Sequence, residues 1–258
     1  MKKPRIVVKV GSNVLTRPDG TPDITIISSI VDQVVDLRQL GMDVILVTSG
    51  AVACGRRLLK HTTHMDDVGQ RQLFSAMGQV RLINLYFSLF RDHGCNIGQV
   101  LTMKGNFAPG REYDNQKKCM EVMLRNGVVP IVNENDTVCV TELMFTDNDE
   151  LSGLVAGMMH ARTVIILTSV DGIYDGEPED SSTRVIPVVR PEDDITDFIR
   201  DEKSEFGRGG MLTKCATARR IADEGIQVLI ANGRRDNIIV DVITKPESTV
   251  HTEFVPKK

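Results

Sequence analysis

Two lysines stand near opposite ends of the chain, each beside glycine-rich backbone: Lys9 in Val8-Lys9-Val10-Gly11-Ser12 and Lys214 in Gly209-Gly210-Met211-Leu212-Thr213-Lys214. A transferring phosphoryl group carries negative charge that ammonium groups and the free N–H groups at a helix start can neutralise, so the pair points to phosphoryl transfer. The ordinary nucleotide motifs do not apply. Lys214 follows Thr213 rather than glycine, so G-x-x-x-x-G-K-[ST] fails, and no G-x-G-x-x-G follows the first apolar run. Carboxylates, amides and hydroxyls gather in Thr48-Ser49-Gly50-Ala51, Asn133-Glu134-Asn135-Asp136-Thr137, Phe145-Thr146-Asp147-Asn148-Asp149 and Thr168-Ser169-Val170-Asp171-Gly172. His61 and His64 have a metal-like spacing, but no further His or Cys lies near them, and they read as a solvated loop. The five cysteines are odd in number, contain no C-x-x-C pair, and read as reduced thiols.

Six short apolar runs, at 5–10, 43–48, 96–101, 128–132, 163–167 and 227–231, read as strands buried on both faces. Segments of helical period lie between them. One opens at Pro22 and Asp23 and closes at Gly41; others run 68–93, 113–126 before Gly127, and 211–224 before Gly225. The alternation predicts an α/β fold with a mainly parallel sheet covered by helices on both faces. In such a sheet the strand C-termini share one edge, which is where the polar segments named above would gather. Residues 171–210 break the rhythm with Gly, Pro, Asp and Glu around Val185 to Val189, the pattern of a functional lid or a linker.

Bulk properties narrow the classes. The chain of 258 residues is 41% hydrophobic and 26% charged, which is ordinary for a globular protein with a proper core. Its formal charge of -4 supplies no basic field for nucleic acid. No apolar run approaches the roughly 20 residues of a membrane span, and none forms a secretory leader, so a cytoplasmic location is expected.

Six ordered blocks resemble the glutamate 5-kinases: Val8 to Ser12, Val47 to Ala53, Ala76-Met77-Gly78-Gln79, Pro130 to Val138, Asp147 to Ser152, and Gly209 to Lys214. The resemblance implies the amino-acid-kinase fold, a three-layer α/β/α sandwich, as a single domain over 1–258. The RNA-modification-type domain that bacterial members often carry is not expected within it. It further implies ATP-dependent phosphorylation of the γ-carboxylate of L-glutamate, the first step of proline synthesis, with Mg²⁺ as cofactor. Glutamate and ATP are then the small-molecule partners, a homo-oligomer is expected, and proline is a candidate feedback inhibitor.

Residue by residue, the resemblance gives Lys9 and Lys214 as cations on the phosphates, with Asp149 holding both. Ser49, Gly50, Ala51, Asn133, Asp136 and Asn148 are the implied glutamate contacts. Lys9, Gly11, Thr168, Ser169, Arg208, Gly209, Gly210, Met211 and Lys214 are the implied nucleotide contacts, while metal ligands stay open. The chemistry agrees. A γ-carboxylate with a reference pKa of about 4.3 is already an ionised nucleophile near neutral pH, so alignment and charge stabilisation matter more than a general base. Asp136 suits a substrate ammonium, which argues against an N-acetylated acid.

The chain departs from the family where Ser169 replaces a common Asp and where Arg208 adds a cation. Plainer roles compete at several positions: a surface-reaching stem for Lys9, a solvated lysine at 214, helix caps for Ser49, Asp147 and Asp149, and a turn for Gly50. Cys54 and Cys215 read as small packing residues. Two further functions stand beside the kinase, a related acid kinase acting on aspartate or N-acetylglutamate and a non-catalytic amino-acid sensor. The two lysines weigh against the sensor, which needs neither.

Overall fold

Each of the six apolar runs becomes a strand in the computed structural model, which describes residues 3–59, 65–139, 147–176, 182–195 and 210–257. They are β1 (Arg5–Val10), β2 (Asp43–Thr48), β3 (Ile97–Thr102), β4 (Val129–Glu134), β5 (Thr163–Thr168) and β7 (Gln227–Asn232). Two short strands complete the sheet, β6 (Val188–Val189) and β8 (Thr252–Phe254), in the order β3-β4-β2-β1-β5-β7-β8-β6. Pairing from β3 through β7 is parallel, and β8 runs antiparallel to β7. Three residues of β8 are too few to announce a strand by alternation, and sequence reasoning missed it.

The helices are α1 (Ser12–Leu15), α2 (Ile24–Gln39), α3 (Ala51–Arg56), α4 (Asp67–Asp92), α5 (Arg111–Arg125), α6 (Asn148–Met159), α7 (Met211–Asp223) and α8 (Ile238–Thr244). Asp23 caps α2 by accepting from Ile26 N, and Gly41 ends it at φ 88°, a left-handed turn that glycine adopts without a Cβ penalty. None of the described helices is long and apolar enough to cross a membrane.

Strand alternation divides the core in two. Ile6, Val8, Val10, Leu46 and Ile131 pack beneath Ile30 and Val34 of α2 and Leu82 and Phe90 of α4. Val7, Val47, Val132 and Ile166 face the other way, against Leu151 and Val155 of α6 and Ala218 and Ile221 of α7. The result is the expected three-layer α/β/α sandwich. Lys9 shares the parity of Val7, so β1 directs it to the α6–α7 side, at the C-terminal end of the strand.

The Ala76-Met77-Gly78-Gln79 block has a packing reason. A Cβ on Gly78 would lie 1.8 Å from Ala51 O, so only glycine lets α4 press against the first turn of α3. Between 171 and 210, the described parts hold a Tyr174–Val185 bridge and β6; residues 177–181 and 196–209 lie outside the described residues, as do His61 and His64.

Candidate active site

At the C-terminal edge of the sheet, Asp149 is fully buried in the first turn of α6, between two cations. Lys9 Nζ lies 2.5 Å from Asp149 Oδ1, and Lys214 Nζ lies 2.9 Å from Oδ2. Burial alone would raise the Asp149 carboxyl, yet the two ammonium groups outweigh it and hold the group at about 2. Burial also sets the direction at Lys9, pushing its ammonium down despite the pull of Asp149. Lys214 is less deeply placed; burial works against its charge, but Asp149 overcomes it and raises the pKa. Lys9 is therefore neither a snorkelling stem nor solvated, and Asp149 is no cap. Asp147 is the cap of α6, its Oδ1 accepting from Asp149 N and Glu150 N at 2.9 and 3.0 Å.

One residue before Asp149, Asn148 reaches the neighbouring strand ends. Its Nδ2 donates to Thr48 O at 2.7 Å, Ser49 Oγ at 2.9 Å and Asn133 Oδ1 at 3.1 Å. Asn133 Nδ2 in turn donates to Gln79 Oε1 of α4 at 3.0 Å. An NH₂ group has two hydrogens for these three acceptors, so a ligand oxygen can enter by displacing one. Ser49 is not a helix cap: Gly50 takes that place in α3 at φ 92°, with no side-chain cap bond, and Ala51 follows buried.

Asp136 pairs with a cation of α4. Arg71 Nε donates to Asp136 Oδ1 at 2.9 Å, Arg71 Nη2 contacts the same oxygen, and Ser75 Oγ donates to Asp136 Oδ2 at 3.2 Å. Arg71 Nη2 also meets Glu134 Oε2 at 3.1 Å. Arg71, Ser75 and Gln79 are spaced by four on α4 and form one polar stripe against the end of β4. Sequence reasoning missed Arg71; the available signal was this polar i, i+4, i+8 series within an otherwise half-apolar helix. A cavity of about 330 Å³ borders Ser75, Gln79, Glu134 and Asp136 between α4 and β3, but neither lysine lines it.

Of the residues expected to contact nucleotide, Gly11 follows β1, and a Cβ there would lie 3.4 Å from Lys9 Nζ. Thr168, buried, ends the adjacent β5, and Ser169, exposed, follows it. Gly210 and Met211 open α7, whose start carries no side-chain cap bond. Arg208 and Gly209 lie outside the described residues. A further pair was not foreseen: Arg235 Nε and Nη2 grip Asp171 Oδ1 and Oδ2 at 2.7 and 2.5 Å, tying the β5 exit to the β7 exit. Cys54 and Cys215 are buried, and burial pushes the Cys215 thiol up to about 12.

Among the described residues, no group of three or more His, Cys, Asp and Glu side chains is arranged to hold a metal. Asp147 Oδ2 is nevertheless buried without a hydrogen-bond partner there. Magnesium carried on phosphates needs only one or two protein carboxylates, so this donor set fits Mg²⁺ arriving with a nucleotide and does not fit a resident, all-protein site.

The profile of the Amino acid kinase family matches residues 4–232. The chain is 58% identical over 252 residues to "Glutamate 5-kinase" of Bacteroides thetaiotaomicron, covering 98% of this chain and 70% of that protein. It is 47% identical over 258 residues to "Glutamate 5-kinase" of Chlorobaculum tepidum, with the same coverage of 98% and 70%. Carbamate kinase from Giardia lamblia bound to AMP-PNP matches with a TM-score of 0.69 over 99% of each chain, at 14% identity, which is a likeness of fold.

Proposed function

The chain belongs to the amino acid kinase family and stands among its glutamate 5-kinases, and from that premise we propose that its lysine centre transfers the γ-phosphoryl group of ATP to the γ-carboxylate of L-glutamate. The observation that carries this reading is the convergence of Lys9 and Lys214 on Asp149, with the amide network of Asn148 beginning one residue away. A carboxylate oxygen attacks the γ-phosphorus, an O–P bond forms, the bond to the β–γ bridging oxygen breaks, and ADP leaves with that electron pair. The products are L-glutamyl 5-phosphate and ADP.

The work of the protein is alignment and charge. Lys9 and Lys214 meet the negative oxygens of the transferring group, and Asp149 fixes both ammonium groups before substrate arrives. The uncapped N–H groups at the start of the 13-residue α7 lie beside Lys214, where a helix start favours phosphate. Gly11, Thr168, Ser169, Gly210 and Met211 are assigned to the nucleotide, together with Arg208 and Gly209. Ser49, Gly50, Ala51, Asn133 and Asn148 are assigned to the substrate carboxyl groups, and Asp136 to its α-ammonium. Mg²⁺ on the nucleotide would be held by Asp147 and supplies charge neutralisation to the phosphates.

The same reading places the enzyme in the cytoplasm at the first step of proline synthesis, as a homo-oligomer restrained by proline. Steady-state kinetics test the restraint: proline competing with glutamate is expected, and no effect of proline removes it. The reaction itself is tested by ATP-dependent hydroxamate formation with Mg²⁺, hydroxylamine and separately glutamate, aspartate and N-acetylglutamate. Product with glutamate alone is expected; product with another acid reassigns the substrate, and silence from all three rejects the kinase.

A further inference from the structure

An α-amino acid presents two opposite charges at one carbon, and a site that reads both must supply both signs. Asp136 supplies one. Its carboxylate is shared with Arg71, whose Nε lies 2.9 Å from Asp136 Oδ1 and whose Nη2 also reaches Glu134 at 3.1 Å. A guanidinium has five N–H donors in a planar fork, and these contacts engage Nε and Nη2, leaving Nη1 outside these bonds. The Arg71 side chain is 20% exposed, whereas those of Glu134 and Asp136 are 4% and 8% exposed. A ligand therefore reaches the cation more readily than the acids behind it.

We propose that Arg71 is a specificity-determining residue that binds the substrate α-carboxylate, so that Arg71 and Asp136 together form a receptor of two signs for the head group of an α-amino acid. This rests on the assignment of Asp136 to the α-ammonium. Three features support it. Carboxylates attract an ammonium and repel a carboxylate, so an α-carboxylate is accepted beside Asp136 where the Arg71 cation stands at the point of contact. The cluster is held from two further sides, by Ser75 Oγ on Asp136 Oδ2 at 3.2 Å and by Gln72 Nε2 on Thr137 O at 2.8 Å, so the fork is presented in a fixed frame. Gln79, on the same stripe of α4, holds Asn133, which leads through Asn148 to Ser49; the head-group cluster and the network beside the lysines are thus ordered by one helix.

The test uses ligands that each lack one charge. 4-Aminobutanoate is glutamate without its α-carboxylate, and glutarate is glutamate without its ammonium; both keep the accepting carboxylate. Specificity constants kcat/KM for all three are measured by hydroxamate formation on the full chain and on Arg71→Gln, Arg71→Lys and Asp136→Asn. Loss of a charge-assisted contact predicts that Arg71→Gln lowers kcat/KM for glutamate by about 10- to 100-fold while changing 4-aminobutanoate by less than about threefold. If Arg71 only props Asp136, glutamate and 4-aminobutanoate fall together, and the proposal is overturned. Should Arg71→Gln fail to fold, Arg71→Lys decides, because it keeps the charge and loses the fork: the preference for glutamate over 4-aminobutanoate must shrink, and an unchanged preference overturns the proposal. Asp136→Asn separately checks the premise. It should weaken glutamate and 4-aminobutanoate alike and spare glutarate, and if it spares glutamate as well, the Asp136 assignment fails whatever the Arg71 ratio shows.

Discussion

At the lysine centre two cations share one carboxylate, whereas beside α4 one cation stands between two carboxylates. The first presents two ammonium groups, which suit phosphates that bring several negative charges. The second presents two carboxylates, which suit a ligand that brings an ammonium. They also differ in depth: Asp149 has no exposure at all, while the Arg71 side chain keeps 20%. Coulombic interactions strengthen as water is excluded, so the lysine centre is the part of the cleft where a lost charge costs most. One sheet edge thus carries two charge clusters, joined by the Asn148–Asn133 amides, which add no charge to either.

The contrast can be broken most severely at Asp149. Asp149→Asn strands two ammonium groups and should destabilise the fold by about 3–5 kcal/mol, as breaking a buried pair does, read as a lower urea midpoint with abolished turnover. A variant as stable as the parent would mean that the lysines do not depend on this carboxylate. Next, Lys214→Ala should lower kcat by about 10²- to 10³-fold with little change in glutamate KM, as expected for loss of a donor to transition-state charge. Equal damage to kcat and to glutamate affinity would move Lys214 to the amino-acid side. Asp136→Asn should do the reverse, raising glutamate KM by about 10- to 100-fold while leaving ATP KM nearly unchanged; a change confined to ATP KM would exchange the two assignments.

The smallest effect is a pH dependence of stability. The folded Asp149 carboxyl sits at about 2, below its unfolded value of about 3.9. Because the folded pKa is depressed, its stabilising contribution is complete above the unfolded value and is lost as pH falls through the folded one. Thermal midpoints should therefore decline between about pH 5 and 2, more steeply in the parent than in Asp149→Asn. Identical slopes would remove the coupling between Asp149 and its lysines.

Much of this frame was legible from local pattern. A run such as Ile6 to Val10 is buried on both faces whatever lies beside it, and Gly41, Gly127 and Gly225 stop helices through a positive φ that is a local property. Lys9 and Lys214 stood out because charge within or beside apolar and glycine-rich segments is costly without a purpose, whereas Asp149 was given by the family resemblance. The polar stripe of α4 was hidden for the opposite reason. Arg71, Ser75 and Gln79 are ordinary residues for a half-exposed helix, and only the docking of α4 on β4 gives them Asp136 and Asn133 as partners. Gly78 was visible as part of a block, but its reason, the backbone of Ala51 within 1.8 Å of where its Cβ would be, is a fact of helix packing.

By itself the sequence determined the six long strands, the helices α2, α4, α5 and α7 between them and the residues left at the strand ends, since hydrophobic period and turn chemistry act over a few residues. It also fixed the face of β1 from which Lys9 projects relative to Val7 and Val8. Only the tertiary structure decided which neighbours share that edge. The order β4-β2-β1-β5 brings Asn133, Ser49, Lys9 and Thr168 to adjacent strand ends, and α6 and α7, packed on one face, bring Lys214 to Asp149 across 65 residues of chain. Such contacts depend on strand crossovers and helix docking, which no local pattern encodes.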